Sequence, residues 1–386
     1  MIHPGFATSE YERRVQGLQE RMRERGLTGA LLTAEANYNY FAGYHHFAPW
    51  TTFCRPVFLA VPAEAGAEPA LLVHAFPAAD AKRDAWFDDV RSYDTLTYAP
   101  LLEVLSMCKE LGMDRGPVGM ELGAEHRLGL TAAEFDDLRG QLQPAQVADV
   151  GDLIWDLRIR KSEPEIALHK ESGRIAAAAF QRCFERVRPG MTEADATRIL
   201  GEAIAQEGGR VGFFIVTSGK GYFDRVAGLP RDRALEADDF LWIDLGVVYR
   251  GYWTDHCRAT VLGQANDGQR DNWEAITTLT RATVAQLRPG QTAAEVVSFI
   301  EEEGRRMGLS FSFAAGRSGH GIGLMSTEPP HIALYDHTVL GEGMAFSIEP
   351  GWIDQDLGVF VAEENVVLSH AGADMLTVTP RALVEH

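Results

Sequence analysis

The chain has 386 residues, enough for two domains of roughly 100–200 residues each. With 24% charged and 46% hydrophobic residues, its composition is globular and excludes a disordered or fibrous chain. Acidic residues outnumber basic ones 55 to 36, and the formal charge is −19; nucleic acid and anionic membrane both need a positive surface, so neither is expected as a partner.

The N-terminal stretch is charged and lacks the apolar segment of a signal peptide. No apolar run approaches the roughly 18–20 residues that span a bilayer. Cys54, Cys108, Cys183 and Cys257 are far apart and form no CxxC pair. The expectation is a cytoplasmic protein with reduced thiols.

In chain order, residues 9–26 predict an amphipathic helix: Tyr11, Val15, Leu18 and Met22 recur at helical spacing and Gly26 supplies a stop. A strand follows at Ala30–Thr33 and a helical stretch at Asn37–Phe41. Pro56–Pro62 and Pro69–Ala75 are short apolar runs flanked by turn residues, and they predict paired strands. Helix and strand patterns alternate to about residue 150, so the first part is a small α/β domain. Residues 146–163 predict a connecting strand or turn, leading into an alanine-rich helix from about Glu163 to Arg188. The domain boundary is placed near 155, giving domains 1–155 and 156–386.

The second part contains an internal repeat. Residues 187–194 read VRPGMTEA and residues 287–294 read LRPGQTAA. Each ends one helix with Pro-Gly and starts another at Thr192 or Thr292. Thr292 with Glu295 makes a capping box, and Thr192 with Asp195 a weaker version. The new helices end near Gly208 and Gly308, and strands are expected at Val211–Val216 and Leu309–Phe313. The repeat implies a pseudo-symmetric domain with two helix pairs covering one sheet.

Residues 241–262 read as strand, turn at Tyr249-Arg250-Gly251, strand. Centred between Tyr249 and Arg250, this hairpin sets Asp244 directly opposite Asp255, with Cβ atoms roughly 4.5–5.5 Å apart. Both strands are otherwise apolar. A buried pair of carboxylates is costly unless it takes up a proton or a cation, and a divalent cation is the natural partner. His320, in SGHGIGL, is flanked by glycines that let the backbone pack closely and free the imidazole to meet a ligand. Glu349 ends an apolar strand before Pro350. Glu363 and Glu364 interrupt a run of Val and Phe that predicts a central strand, so one of them must face inward and needs a partner. Four carboxylates and one imidazole suit a pair of Mn, Co, Zn or Fe ions. Such a pair supports metal-assisted hydrolysis of an amide or related bond.

On these residues the chain resembles the creatinase, prolidase and aminopeptidase P superfamily. The ligand order is Asp244, Asp255, His320, Glu349, Glu363, with intervals of 11, 65, 29 and 14 residues, of which 11, 29 and 14 match its metallopeptidase members. The N-terminal domain, the stretch LRIRK at Leu157–Lys161 and the duplicated C-terminal part also fit. The resemblance implies a mixed α/β (α+β) architecture. A small N-terminal domain precedes a C-terminal pita-bread domain, with duplicated helix pairs on a curved antiparallel sheet. It implies that Asp255 and Glu363 bridge two metals, that Asp244 binds one, and that His320 and Glu349 complete the shells. It also implies a homodimer and a dipeptide or other small-molecule substrate.

The departures are specific. The peptidase members carry a histidine about 17 residues before the first Asp ligand, near Ala227 here, and Thr217–Ile243 contains none. They carry a second histidine seven residues after the metal-binding one, where this chain has Thr327. Their arginine two residues before the last Glu is Val361 here. His331, in EPPHI, is the nearby candidate to reach the site. Glu349, His320, Thr327 and His331 are thus the candidates for catalysis. Asp224, Arg225 and, in the N-terminal segment Tyr44–Arg55, His45, His46, Trp50 and Arg55 are candidates for substrate contact; packing at a core or dimer surface is the other reading of the N-terminal group. Three functions stay open: an Xaa-Pro dipeptidase or aminopeptidase P-like hydrolase; a non-peptidase member of the creatinase, ectoine hydrolase or dimethylsulfoniopropionate lyase kind; and a non-catalytic binding module.

Overall fold

In α1 (Thr8–Glu24) the stripe Tyr11, Val15, Leu18 and Met22 is buried, as its spacing predicts. The computed structural model describes residues 5–48, 54–309 and 316–386, and the chain divides into two units, 1–158 and 159–386. The first unit continues with β1 (Gly29–Leu32), α2 (Glu35–Ala42), β2 (Phe58–Pro62), β3 (Ala70–His74), α3 (Ala78–Asp84), β4 (Val90–Tyr93), α4 (Leu101–Glu110), β5 (Val118–Met120), α5 (Ala132–Gln141), β6 (Val147–Asp149) and α6 (Gly151–Arg158). Its strands form one mixed sheet in the order β4-β3-β2-β1-β5-β6. The apolar runs at 56–62 and 69–75 pair antiparallel as β2 and β3. Residues 146–163 are not a plain strand or turn. They hold β6 and then α6, whose Leu153 and Ile154 are buried; an apolar pair every few residues in so short a stretch fits either period.

The second unit begins with α7 (Glu163–Arg186), α8 (Glu193–Gln206) and the strands β7 (Arg210–Ser218), β8 (Phe240–Tyr249) and β9 (Tyr252–Val261). Then come α9 (Asp267–Gln286), α10 (Ala293–Arg306), β10 (Gly319–Gly321), β11 (Glu328–His331) and β12 (Ala345–Ile348). The chain closes with β13 (Gly351–Asp354), β14 (Gly358–Val361), β15 (Glu364–Ser369), β16 (Gly372–Met375) and β17 (Val384–Glu385). The repeat is a structural one. Gly190 N–H bonds Leu235 O at 2.7 Å and Gly290 N–H bonds Leu340 O at 2.8 Å; the returning bonds run from Leu235 N–H to Met191 O and from Leu340 N–H to Gln291 O, both 2.7 Å. Thr192 and Thr292 both cap the following helix in complete capping boxes. Asp195 therefore does not make a weaker version, because its shorter side chain still reaches the Thr192 N–H at 2.8 Å. The strand expected at Leu309–Phe313 lies, apart from Leu309, outside the described residues.

The strands do not bond into one sheet. β17-β9-β8-β7 form a four-stranded sheet, β11-β10-β12-β15-β16 a five-stranded one, and β13-β14 a ribbon. β17 runs parallel to β9 and the other pairings of this unit are antiparallel. One face of β8 (Leu241, Ile243, Leu245, Val247) packs with Ile175, Phe180, Leu200 and Ile204 of α7 and α8. The other face (Phe240, Trp242) joins a second core with Trp273 and Ile276 of α9, Val296 and Ile300 of α10, and Phe346 of β12. Asp244 follows Trp242 on that second face, so its carboxylate is carried in among the strands.

Candidate metal centre

The β8–β9 turn is Arg250-Gly251, with φ of 49° and 90° and Tyr249 paired to Tyr252. Two positive φ values define a two-residue type I′ hairpin, centred one position later than the sequence suggested. Asp244 therefore faces Cys257, and Asp255 faces Gly246, rather than each other. Moving the turn centre by one residue shifts the pairing by two, so both carboxylates keep the same face as diagonal neighbours, close enough for the Asp244 charge to raise Asp255.

His320 enters through the close approach that its glycines permit. A Cβ on Gly319 would lie 2.2 Å from Ser347 O, and one on Gly321 2.4 Å from Pro329 O. β10 thus pairs with β12 on one side and β11 on the other, with His320 opposite Ser347 and His331. Glu349 follows β12, its N–H bonded to Ser318 O at 2.9 Å. The run 358–368 is two strands rather than one. β14 stops at Val361 and β15 starts at Glu364, and both Glu363 and Glu364 are 2% exposed. Their partners differ. Glu364 is neutralised by Arg258 at 2.8 Å and Arg381 at 2.7 Å, whereas no cation pairs with Glu363 among the described residues.

Asp255, His320 and Glu363 bring one donor atom each within 4.8 Å of one another. His320 Nε2 lies 3.7 Å from Asp255 Oδ2 and 3.5 Å from Glu349 Oε1, and Asp244, diagonal to Asp255 across the β8–β9 pairing, acts by its charge on Asp255, Glu349 and Glu363, so the structure gathers all five expected donors. Burial pushes the carboxyl groups up: Asp244 to about 7, Glu349 to about 7, and Asp255 and Glu363 well above the usual range, Asp255 also through repulsion by Asp244 and Glu349, and Glu363 through repulsion by Asp255, Asp244 and Glu349. Burial, aided by the charge of Arg317, lowers His320 to about 3, so the imidazole is neutral.

Two features fit a cation. His320 Nδ1 is 3.0 Å from Gly321 O; a carbonyl only accepts, so Nδ1 carries the proton and Nε2 turns its lone pair toward two carboxylate oxygens. That arrangement repels unless a cation lies between them, and a backbone carbonyl on the far nitrogen is how a metal-binding histidine is oriented. Asp244 Oδ1 is buried with no hydrogen-bond partner among the described residues, an orphan costly to leave unmet. A site of carboxylates and one imidazole suits divalent Mn, Co, Zn or Fe.

Around these donors lie residues that sequence reasoning missed. Asn365 and Ser347 surround Asp255: Ser347 Oγ contacts Glu363 and Asp255 O. Arg317 Nε is 3.7 Å from Glu349 Oε1, Nη1 is 3.1 Å from His331 Nδ1, and Nη2 is 3.5 Å from Thr327 Oγ1. Thr327 and His331 therefore meet beside Glu349, through an arginine that no spacing rule marked. Among the described residues no ion pair or side-chain hydrogen bond joins Asp224 or Arg225 to these donors. Asp224 is exposed, and the Arg225 carbonyl takes the Thr217 hydroxyl at 2.8 Å, within its own segment. His45, His46 and Arg55 belong to the first unit, where the buried His46 accepts the Ala48 N–H at 3.0 Å and stacks on Phe47. Trp50 lies outside the described residues. Cys54, Cys108, Cys183 and Cys257 are free thiols, and among the described residues no helix is long and apolar enough to cross a membrane.

A duplicated α/β unit that gathers four carboxylates and a neutral histidine around one point defines a metal-dependent hydrolase. The model of metallopeptidase family M24 matches residues 167–370, and that of the creatinase/prolidase N-terminal domain matches residues 14–160. The chain belongs to metallopeptidase family M24. It is 30% identical to the Xaa-Pro dipeptidase of Lactobacillus delbrueckii subsp. lactis over 371 residues, 95% of this chain and 97% of the relative. It is 31% identical to the Xaa-Pro dipeptidase of Pyrococcus furiosus over 264 residues, 68% and 75% of the two chains. The crystal structure of dipeptidase PepE from Mycobacterium ulcerans superposes with a TM-score of 0.82 at 26% identity, covering 98% of each chain. X-Pro aminopeptidase from Thermotoga maritima does so with 0.84 at 23% identity over 96% of this chain and 99% of the other, a likeness of fold. The second unit has the pita-bread fold that the ligand order implied.

Proposed function

We propose that the chain is a dinuclear metal-dependent dipeptidase acting on Xaa-Pro or similar small peptides. The observation that carries this is the His320 lone pair converging with the four carboxylates; the relatives named Xaa-Pro dipeptidase supply the substrate class. Asp244, Asp255, His320, Glu349 and Glu363 are the residues that would hold the cations, and cations held there would polarise a carbonyl and lower the pKa of water. The chain's own part is orientation and proton transfer. Gly321 O holds His320, Asn365 and Ser347 hold Asp255, and Glu349, its side chain 24% exposed, is placed to take a proton from attacking water and return it to the leaving amine. Thr327 and His331 border the same space.

Protein stripped of metal and reloaded with Mn or Co is expected to cleave an Xaa-Pro dipeptide, and Asp255→Asn is expected to abolish cleavage. No turnover across a dipeptide panel at full metal occupancy would falsify the assignment. Thr327, standing where the resembled peptidases carry histidine, favours the second reading, a non-peptidase C–N hydrolase, which such a result would bring forward. A cytoplasmic homodimer is part of the proposal; light scattering on the purified protein decides its stoichiometry, and fractionation its compartment.

A further inference from the structure

Charge at the metal centre is set by few groups. Ionised Asp244, Asp255, Glu349 and Glu363 are balanced by two divalent cations, so the loaded donor set is neutral. Among the described residues, Arg317 is the one arginine or lysine paired with any of these carboxylates, and it pairs loosely, 3.7 Å from an oxygen of Glu349, one of the proposed ligands. Its other contacts, His331 Nδ1 and Thr327 Oγ1, carry no compensating charge.

The guanidinium is also fixed and accessible. It is 23% exposed. Ser318, next in sequence, bonds Ile332 O at 2.7 Å, which ties this backbone to the strand carrying His331. The His331 N–H in turn bonds Asp336 Oδ2 at 2.8 Å. Because Nη1 donates to His331 Nδ1, the imidazole accepts there and positions the fork. A planar fork of N–H donors with uncompensated charge matches a carboxylate, which accepts two parallel bonds.

We propose that Arg317 is the specificity-determining cation of this site, receiving the carboxylate of an anionic substrate. This rests on the metallopeptidase reading above and names the residue, three positions before the histidine ligand, that reads the free carboxylate a dipeptide carries. Thr327 and His331 act on it as positioning residues.

The test uses the metal-loaded full chain with one dipeptide, Ala-Pro, and its C-terminal amide. Metal content is matched between proteins by elemental analysis. Wild type is expected to favour the acid at least about tenfold in kcat/KM. Arg317→Gln should raise KM for the acid by about 10- to 100-fold, as the loss of a charge-assisted pair implies, with kcat changed less than about threefold and the amide nearly unaffected. Arg317→Lys should keep part of the preference, since charge survives without the fork. Calorimetric binding of both ligands to both proteins gives a readout that needs no turnover. If wild type cleaves neither form, the dipeptidase reading fails, and the inference stands only if wild type still binds the acid at least about tenfold tighter and Arg317→Gln does not. Undiminished preference in Arg317→Gln, equal losses for acid and amide, or no binding of either form overturns it.

Discussion

The side chain of Asn365 hydrogen-bonds both backbone groups of Asp255: Nδ2 donates to the Asp255 carbonyl at 2.6 Å, and Oδ1 accepts its N–H at 2.9 Å. The amide thus does for β9 what a neighbouring strand would do, and it links the four-stranded sheet to the five-stranded one at Asp255, a proposed metal ligand. Ser347 Oγ accepts its remaining proton at 3.0 Å and the Thr254 hydroxyl donates to it at 2.6 Å, so the amide is fully used. Asn365→Ala should cost about 1–3 kcal/mol for the stranded backbone groups and lower metal affinity about 10- to 100-fold. Denaturant unfolding and metal titration calorimetry check the two parts. Unchanged metal affinity would show that Asp255 is held without this clamp.

The carboxylate cluster makes the metal-free protein sensitive to pH in a definite direction. Asp244 is raised from 3.8 to about 7. A carboxyl whose folded pKa is raised contributes its full stability below its ordinary value and loses it as pH rises through the folded one. Chelated wild type should therefore lose stability through this group between about pH 4 and 7, on the order of a few kcal/mol. Asp244→Asn removes both the charge and the repulsion on Asp255. In chelator it should be more stable than wild type at pH 8, and the gap should close toward pH 4.5. With metal present the order should reverse. Parallel unfolding curves at pH 4.5 and 8, with and without Mn, measure this.

Much of the site was legible because each ligand breaks a pattern. Asp244, Asp255, Glu349 and Glu363 stand in or beside apolar strands, where a carboxylate has no cheap explanation, and His320 sits between glycines whose Cβ atoms would collide with the next strands. What escaped is long-range. The hairpin register depended on Arg250 taking a positive φ, which a residue other than glycine rarely signals. The strand pattern did not choose between Glu363 and Glu364; the family resemblance did, and the physical reason is that Arg258 and Arg381, distant in sequence, converge on Glu364. Asn365 and Arg317 carry no periodicity at all; their roles exist only once β9, β10, β12 and β15 are brought together.

Lys161 and Glu328 form an ion pair of 3.2 Å with side chains 2% and 1% exposed. It joins Lys161, two residues before α7, to β11, the strand that also carries His331. A buried pair of this kind adds little over apolar residues, but breaking it strands a charge. Lys161→Met alone should cost about 3–5 kcal/mol. The double variant Lys161→Met with Glu328→Gln should recover most of that. A thermal or denaturant double-mutant cycle shows the coupling directly, and additive losses would argue that the two side chains act independently.

His169 gives a pH dependence of the opposite sign. Its Nδ1 lies 2.7 Å from Trp253 O and therefore holds the proton, while Nε2 is buried without a partner among the described residues. Burial, with the nearby Lys161 charge, lowers its pKa to about 4. A histidine with a depressed folded pKa contributes stability that is complete above its ordinary value of 6.5 and is lost as pH falls toward about 4, worth up to about 3 kcal/mol. His169→Gln should cost about 1–2 kcal/mol at pH 7.5, for the altered bond to Trp253 O. At pH 4.5 the cost should vanish or change sign, because wild type then faces protonation of a buried ring and the amide does not. Unfolding in chelator isolates the effect, since the carboxylate cluster is the same in both proteins. A cost that stays constant from pH 7.5 to 4.5 would mean that the folded state accommodates the imidazolium.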